Sequence, residues 1–598
     1  MDRDQARPDS VARYMAAIMR FAQTEKQYLR VLHVSVVLAS ALLGVLILTN
    51  SGLNTLGEPF GDHLMAISIA ISRLVYGVEG LAGLEQVLEI LRQIPSVSLI
   101  DLDSLAARES YQSAINETIQ KTTRLDGIDF NQIHAYVNDQ AYLYYVISAF
   151  YLFGIKIQSL SYLWLLVLFA SVTLFLAAYR EKIPSLLLLW CVLVAISLVV
   201  MANPGVGSQL LTVYNYRFLP VLGLIPLLHV VLSINDRQKF PAGWPLILIQ
   251  ILILVFVLLV RGSALWMLAA LALSVIHSLW SKRRELRTGT NGLENVSPAG
   301  MIASRLAPLI LVLAVFLLAK SAMPRYLHKE YEGELWARSH VIWHAAFVGL
   351  TTDPVLMGRY VCSDKPLTDQ LMNFRPVLCD EEPRRYPRLA YGIFQQPSDM
   401  HGFHAAVRYL RERGSNEQIG SEIRRPGYFN LKWDRYDEII GRVYFDMLRQ
   451  NPLDALYMYA IVKPLKYLRE AAMYTTYLWK GLLRSQNAFG VLGMLAVVFA
   501  LHYYLVRGFR HVLTHVRSHL RDEAEIVQRQ LPIIFLSSLA PSILFYSQSH
   551  TITDSVAVLL ALVLSLPITL TSARTSDEPS SWLWSWSPLR KKNLPKVL

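Results

Sequence analysis

Charge is scarce in this chain. Only 17% of its 598 residues are Asp, Glu, Lys or Arg, whereas soluble domains carry about 25%. Together with 53% hydrophobic residues and a mean hydropathy of +0.34, this argues against the string of about three to four soluble domains that such a length would otherwise suggest. It also excludes intrinsic disorder, because so much apolar mass must be buried. Cysteine is scarce too, and three residues exclude a disulfide-dense scaffold. There is no P-loop, no GxGxxG after a strand, no GxSxG and no CxxC pair, so nucleotide hydrolysis by this chain is disfavoured. Acids and bases are few within the apolar runs and no duplicated halves stand out, which gives proton-coupled transport little support.

What is present is long apolar runs. A crossing helix needs about 20 mostly apolar residues. Ten stretches qualify, some of them short: Val31–Thr49, Ser159–Tyr179, Ile183–Met201, Phe218–Ile234, Trp244–Val260, Ser263–Trp280, Leu306–Leu318, Ala488–Val506, Leu531–Gln548 and Ser555–Thr571. The expected fold class is an all-α polytopic membrane protein of about ten spans. The first run follows a charged leader and has no small-residue cleavage site after it, so it reads as a span and not as a removed signal.

The excess of basic residues, net +12, has a topological reading. Arg3, Arg7, Arg13, Arg20, Lys26 and Arg30 in the leader, the segment KRRELR at Lys282–Arg287, the Arg507–Arg529 segment and the basic tail all fall on one side if ten spans follow a cytoplasmic N-terminus. Both termini are then inside. The segment Ser51–Ile157 falls outside and carries 12 acidic against 6 basic residues. The basic excess therefore signals topology, and nucleic acid is not an expected partner. Ala141–Phe153 is apolar but too short to cross, and its tyrosines suit an interfacial helix. The cluster Trp582, Trp584 and Trp586 before Arg590 reads as an interfacial anchor to membrane lipids.

This divides the chain into a leader (residues 1–30), an N-terminal membrane module (31–319) that includes the outer loop 51–157, an extracytoplasmic region (320–486), C-terminal membrane helices (487–571) and a basic tail (572–598). In the outer loop, Leu84, Val87, Leu88 and Leu91 form an apolar face at helical spacing, and Ser104–Thr123 is a polar helix candidate. The later region ends in an amphipathic stretch, Val443–Leu483, broken by Pro452 and Pro464.

Several residues have the chemistry of a site. The segment GEPFGDHL sets Glu58 and Asp62 just after the first span, where a carboxylate acts as a general base or holds a divalent metal; two solvated loop acids are the alternative. Asp139 opens the aromatic helix, as a site acid or as a favourable charge at a helix N-terminus. Arg217, in VYNYRF, and Arg261, in LLVRGSALW, lie at outer span ends. There they grip a lipid-linked phosphate through bidentate hydrogen bonds, or snorkel to the interface. His340 and His344 stand at i, i+4. No Glu is placed as in HExxH, so no metal ligand set is assigned to them. Cys362 and Cys379 face the oxidising side and are a candidate disulfide. Cys191, within the third span, is an apolar filler.

The layout of charged leader, single span, long outer loop with an early carboxylate, and an aromatic helix of the form DQAYLYYVISAFYLFG resembles the multi-spanning glycosyltransferases of the C superfamily. Protein O-mannosyltransferases and lipid A aminoarabinose transferases belong to it. VYNYRFLPVLGLIPLLH, RGSALW, WHAAFVGL and YDEIIGRVYFDMLRQNP also look like a bacterial branch of such proteins. The resemblance covers residues 30–460. It implies a bacterial inner-membrane enzyme that moves a sugar from a polyprenyl-phosphate donor to an extracytoplasmic acceptor, with inversion. Asp62 best matches the family's first-loop base, with Glu58 and Asp139 as other candidates. Arg217 and Arg261 would contact the donor phosphate, the region of His340 and His344 would shape the acceptor site, and a divalent cation, Mg or Mn, would serve as cofactor. The family often shows adjacent acids or a pair spaced by one residue, whereas Glu58 and Asp62 stand four apart. That departure keeps a second reading open: a non-catalytic accessory subunit with protein partners in a membrane complex. A polysaccharide ligase or flippase is a third.

Overall fold

A computed structural model describes residues 8–49, 62–94, 105–135, 140–202, 212–235, 240–288, 298–323, 342–362, 386–413, 433–484, 488–515, 518–548 and 551–574. Glu58, Asp139, His340 and Cys379 lie outside them. The protein is an all-α membrane protein. Among the described residues seven helices are long and apolar enough to cross a membrane: Glu25–Leu48, Gln158–Tyr179, Ile183–Ala202, Gly243–Val260, Gly262–Ser281, Ile302–Ala322 and Leu492–Val512.

The chain enters through α1 (Pro8–Thr49) and continues into a compact first segment. This holds α2 (Asp62–Tyr76), α3 (Glu85–Leu91), α4 (Leu105–Thr122) and α5 (Gln140–Phe153). Val87, Leu88 and Leu91 form the buried face of α3. Leu84, expected on that helical face, instead ends a strand. β1 (Ala82–Leu84) pairs antiparallel with β2 (Ile133–Ala135), so one two-stranded sheet departs from the all-helical expectation. Gly83 permits it, since a Cβ there would lie 2.5 Å from the His134 ring. The aromatic helix α5 turns Tyr142 and Tyr145 wholly inward and packs against α2 and the later helices α6 (Gln158–Tyr179) and α9 (Phe240–Val260); Tyr151 and Leu152 stay exposed.

The apolar body surrounds α7 (Ile183–Ala202), which is buried at every position but Leu198 and Met201. A helix apolar all round is an interior helix. It touches α1, α18 (Lys463–Arg484), α20 (Ser518–Ser538) and α22 (Thr553–Arg574). Between these come α8 (Leu224–Asn235), α10 (Trp266–Thr288) and α11 (Pro298–Ala322).

Two apolar stretches differ from their expected extents. Leu306–Leu318 is the middle of the longer α11. Its start escapes a hydropathy reading because Arg305 is buried there, donating to the Ile234 carbonyl at 2.8 Å and to the Ser278 hydroxyl. Leu531–Gln548 is not one helix. α20 ends at Ser538 and α21 (Ala540–Leu544) restarts with Pro541 in its first turn, where a missing N–H costs nothing. The Phe218–Ile234 and Ser555–Thr571 stretches appear among shorter apolar helices, Leu219–Asn235 and Thr553–Pro567.

A second module has its own core, in which Phe347, Leu356, Tyr436, Ile440, Met447 and Met458 are buried together. It comprises α12 (Ile342–Leu350), α13 (Pro354–Tyr360), α14 (Arg388–Phe394), α15 (Asp399–Glu412), α16 (Trp433–Gln450) and α17 (Pro452–Tyr457). Pro452 opens α17, and a π-helical turn, Met458–Val462, leads into α18 with Pro464 in its first turn. α18 joins this module to the apolar body, packing on α7 and on α19 (Ala488–His515).

Candidate functional site

The site begins with the irregular stretch between α7 and α8. Asn215 shapes it. Its carbonyl accepts from the Phe218 and Leu219 amides at 2.8 and 2.9 Å. Its side-chain oxygen accepts from the Arg217 amide at 2.7 Å, an Asx turn that gives the backbone a local partner where no helix runs. The Asn215 amide nitrogen lies 3.2 Å from His63 Nε2, and His63 Nδ1 is hydrogen-bonded to the Tyr142 hydroxyl. His63 is buried among the rings of Tyr142, Tyr214 and Tyr216, at centroid distances of 5.6, 5.8 and 6.5 Å. Asp62 opens α2 directly before it.

Tyr216 is the meeting point of both arginines expected at the site. The Arg217 guanidinium lies 5.4 Å from its ring centroid and that of Arg261 4.8 Å. Arg261 stands in extended backbone between α9 and a 3-10 turn, and its Nε donates to Ser263 Oγ at 3.1 Å. The head of α22 braces both segments. The Thr553 hydroxyl donates to the Arg217 carbonyl at 3.3 Å, and the buried Asp554 accepts from the Trp266 indole at 2.6 Å. Four stretches distant in sequence, around residues 63, 142, 216 and 261, therefore converge.

The second module contributes a further charged group. Asp399 opens α15 and lies within electrostatic reach of Arg217. Its carboxylate accepts from His344 Nε2 at 3.1 Å. His344 Nδ1 lies 2.7 Å from the hydroxyl of the buried Tyr436. Burial pushes the Asp399 carboxyl up, but the His344 hydrogen bond and the charges of His344, Arg217 and His401 outweigh it, so it stays below the usual carboxylate range. An ionised carboxylate only accepts, so Nε2 carries a ring proton and donates it to Asp399. The Asp399 side chain is 63% exposed.

The next carboxylate behaves oppositely. Burial holds Asp437 above the usual range, although its side chain accepts from the Trp343 amide at 3.1 Å and so caps the first turn of α12. Gly402, one turn along α15 from Asp399, admits His344 and Tyr436, because a Cβ there would lie 2.6 Å from His344 Nδ1 and closer still to the Tyr436 hydroxyl.

Tyr546 closes the circle, within electrostatic reach of Arg217, Arg261 and Asp399. It follows α21, whose end is held by Lys463: Nζ donates to the Leu544 and Phe545 carbonyls at 3.2 and 2.8 Å and sits 4.4 Å from the Tyr459 ring centroid. Burial, then the Lys466 charge, holds the Lys463 ammonium well below the usual lysine range.

Of the residues expected at the site, Arg217 and Arg261 come together, Asp62 adjoins His63, and His344 lies across from them through Asp399. Glu58, Asp139 and His340 lie outside the described residues. Cys362 is disulfide-bonded, Cys191 is free and buried, and Cys379 lies outside the described residues. Sequence reasoning missed His63, Asn215, Tyr216, Asp399, Tyr436 and Tyr546. The first three and Tyr436, the first residue of YDEIIGRVYFDMLRQNP, stood within segments already singled out; Asp399 and Tyr546 carried no local signal. Among the described residues no group of three His, Cys, Asp or Glu is placed to hold a metal ion. No family model, no curated protein and no solved structure matches the chain.

Proposed function

We propose that this protein is an integral membrane glycosyltransferase that moves a sugar from a polyprenyl-phosphate donor to an extracytoplasmic acceptor. The observation that carries the reading is the stacking of Arg217 and Arg261 on the single ring of Tyr216. Guanidinium forks are permanently charged and match phosphate oxygens in pairs. The two here stand at ends of apolar helices, Arg217 before α8 and Arg261 after α9.

In this reading the chain crosses the membrane ten times with both termini inside. The two polar modules, 51–157 and 320–486, face outward in a bacterial inner membrane. Asp62 removes the proton of the acceptor hydroxyl, with Glu58 and Asp139 as alternative bases, and the freed oxygen attacks the anomeric carbon with inversion. Polyprenyl phosphate leaves, its charge held by the arginine pair. The His344 side of the recess receives the acceptor. Glu58 and Asp62 would be the residues to hold a divalent cation, which would supply positive charge near the phosphate.

Binding of a short-chain polyprenyl monophosphate to the purified full chain in detergent micelles tests this. Charge-assisted contacts of this kind contribute about 1.5–3 kcal/mol each, so Arg217→Gln and Arg261→Gln should each weaken binding by about tenfold or more. Equal binding by the wild type and the double variant would sink the reading.

A further inference from the structure

We propose that Asp399 is a second catalytic carboxylate of this site, a fixed negative charge from the second module that stands against the transferred sugar and stabilises the positive charge developing at its anomeric carbon. The inference rests on the donor reading given above and deepens it.

Three features of the geometry point there. Asp399 lies within electrostatic reach of Arg217, and most of its side-chain surface is accessible. In the donor reading a phosphate held by the arginine pair brings the carbon bonded to it within reach of this carboxylate's charge. Its second feature is support from behind. The Tyr436 hydroxyl, His344 ring and Asp399 carboxylate form one hydrogen-bonded line, with links of 2.7 and 3.1 Å, from three helices. Such a line fixes the carboxylate in position and keeps it unprotonated. The third is the space made for that line: without a side chain at Gly402, His344 and Tyr436 approach α15 directly. A plain surface aspartate needs none of this.

The chemistry asks for such a group. Glycosyl transfer passes through an oxocarbenium-like transition state, and one carboxylate that takes up a proton together with another that stays ionised is a recurrent division of labour. The acceptor O–H proton goes to the base of the first segment. The acceptor oxygen bonds to the anomeric carbon, and the carbon–oxygen bond to phosphate breaks with its electron pair leaving on the phosphate. Asp399 takes no proton and forms no bond. Its charge favours the transition state, where the anomeric carbon becomes positive, over the ground state, where that carbon is uncharged, and opposes the bound phosphate.

This last point makes the role testable against a purely structural one. The test compares Asp399→Asn and Asp399→Glu in two assays: binding of a short-chain polyprenyl monophosphate to the purified full chain, and recovery of the envelope glycan profile in a strain lacking the chromosomal copy. Asp399→Asn should reach wild-type levels in the membrane, bind the lipid phosphate as tightly as wild type or up to about tenfold more tightly, and leave the glycan profile as in the deletion strain. Asp399→Glu should restore it in part. Recovery of the profile by Asp399→Asn, or weakening of its phosphate binding by about tenfold, overturns the proposal in favour of a counter-ion or positioning role. Failure of the wild-type protein to bind the lipid phosphate, or a deletion strain with an unaltered profile, overturns the donor reading itself and this inference with it.

Discussion

Arg388 holds Asp353 by two parallel hydrogen bonds, 2.8 Å from Nε to Oδ1 and 3.0 Å from the terminal nitrogen to Oδ2. Asp353 is wholly buried and also caps α13 through the Leu356 amide. Arg388 extends the pair to Asp454 at 2.6 Å, tying α14 to α17. Removing one partner of a buried pair strands the other charge, which costs about 3–5 kcal/mol. Arg388→Ala should therefore destabilise the second module by about 3 kcal/mol or more. Arg388→Lys should recover little, because an ammonium cannot reproduce the fork. Thermal unfolding of the purified variants, read by protease resistance of the second module, checks this.

Gly349 and Gly402 are positions where a side chain has no room. A Cβ at Gly349 would collide with the Phe545 carbonyl oxygen, and one at Gly402 with Tyr436 and His344. Overpacking costs about 1–3 kcal/mol where neighbours can shift. Gly402→Ala should lie in that range, since side chains are its obstacles. Gly349→Ala meets backbone and should lower the unfolding temperature more. Equal effects of the two would contradict the close approach of α12 to the end of α21.

Asn215 joins the arginine loop to His63, so Asn215→Ala should remove both the Asx turn and the His63 contact. Each neutral hydrogen bond is worth about 1 kcal/mol. The expected outcome is a loss of roughly tenfold in polyprenyl monophosphate affinity with little change in unfolding temperature, measured by titration. Unchanged affinity would show that the loop holds Arg217 without it.

The second module should lose stability in mild acid. His401 is buried, shares a 3.1 Å hydrogen bond with Thr351, and is pushed down to about 4 by burial, then by the His404 charge, against an opposing pull from Asp399 and a further push from His344. Its unfolded value is about 6.5. Below that the unfolded chain binds the proton and the folded one does not. The stability is present above pH 6.5 and is lost as the pH falls towards 4, by about 3 kcal/mol at most. Unfolding temperatures taken across this window should fall less steeply for His401→Gln than for wild type. His404, also held low by burial, should leave a residual slope.

Much of the helical layout was legible because its causes are local. α4 follows the polar stretch Ser104–Thr123, and the break before α17 follows Pro452, where ring geometry and a missing N–H act within one turn, whereas the chain stays helical through Pro464, with a π-helical turn just before it. Extents failed where a distant partner changed the cost of a residue. Arg305 ends an apolar run on paper, but the Ile234 carbonyl satisfies it inside the body. Leu84 has helical spacing, but β2 offered it a strand.

The sequence by itself determined that this is a helical membrane protein, because the burial of apolar side chains and the pairing of backbone groups within helices depend on composition over about 20 residues. It also singled out Arg217 and Arg261 at the ends of apolar runs. Only the tertiary structure decided that both reach one tyrosine, and that His344 finds Asp399 55 residues away and Tyr436 92 residues away. A charge in a polar loop carries no periodicity and names no partner. Its role is set by what the packing of distant helices brings within a few ångströms, where electrostatic and hydrogen-bond energies become large.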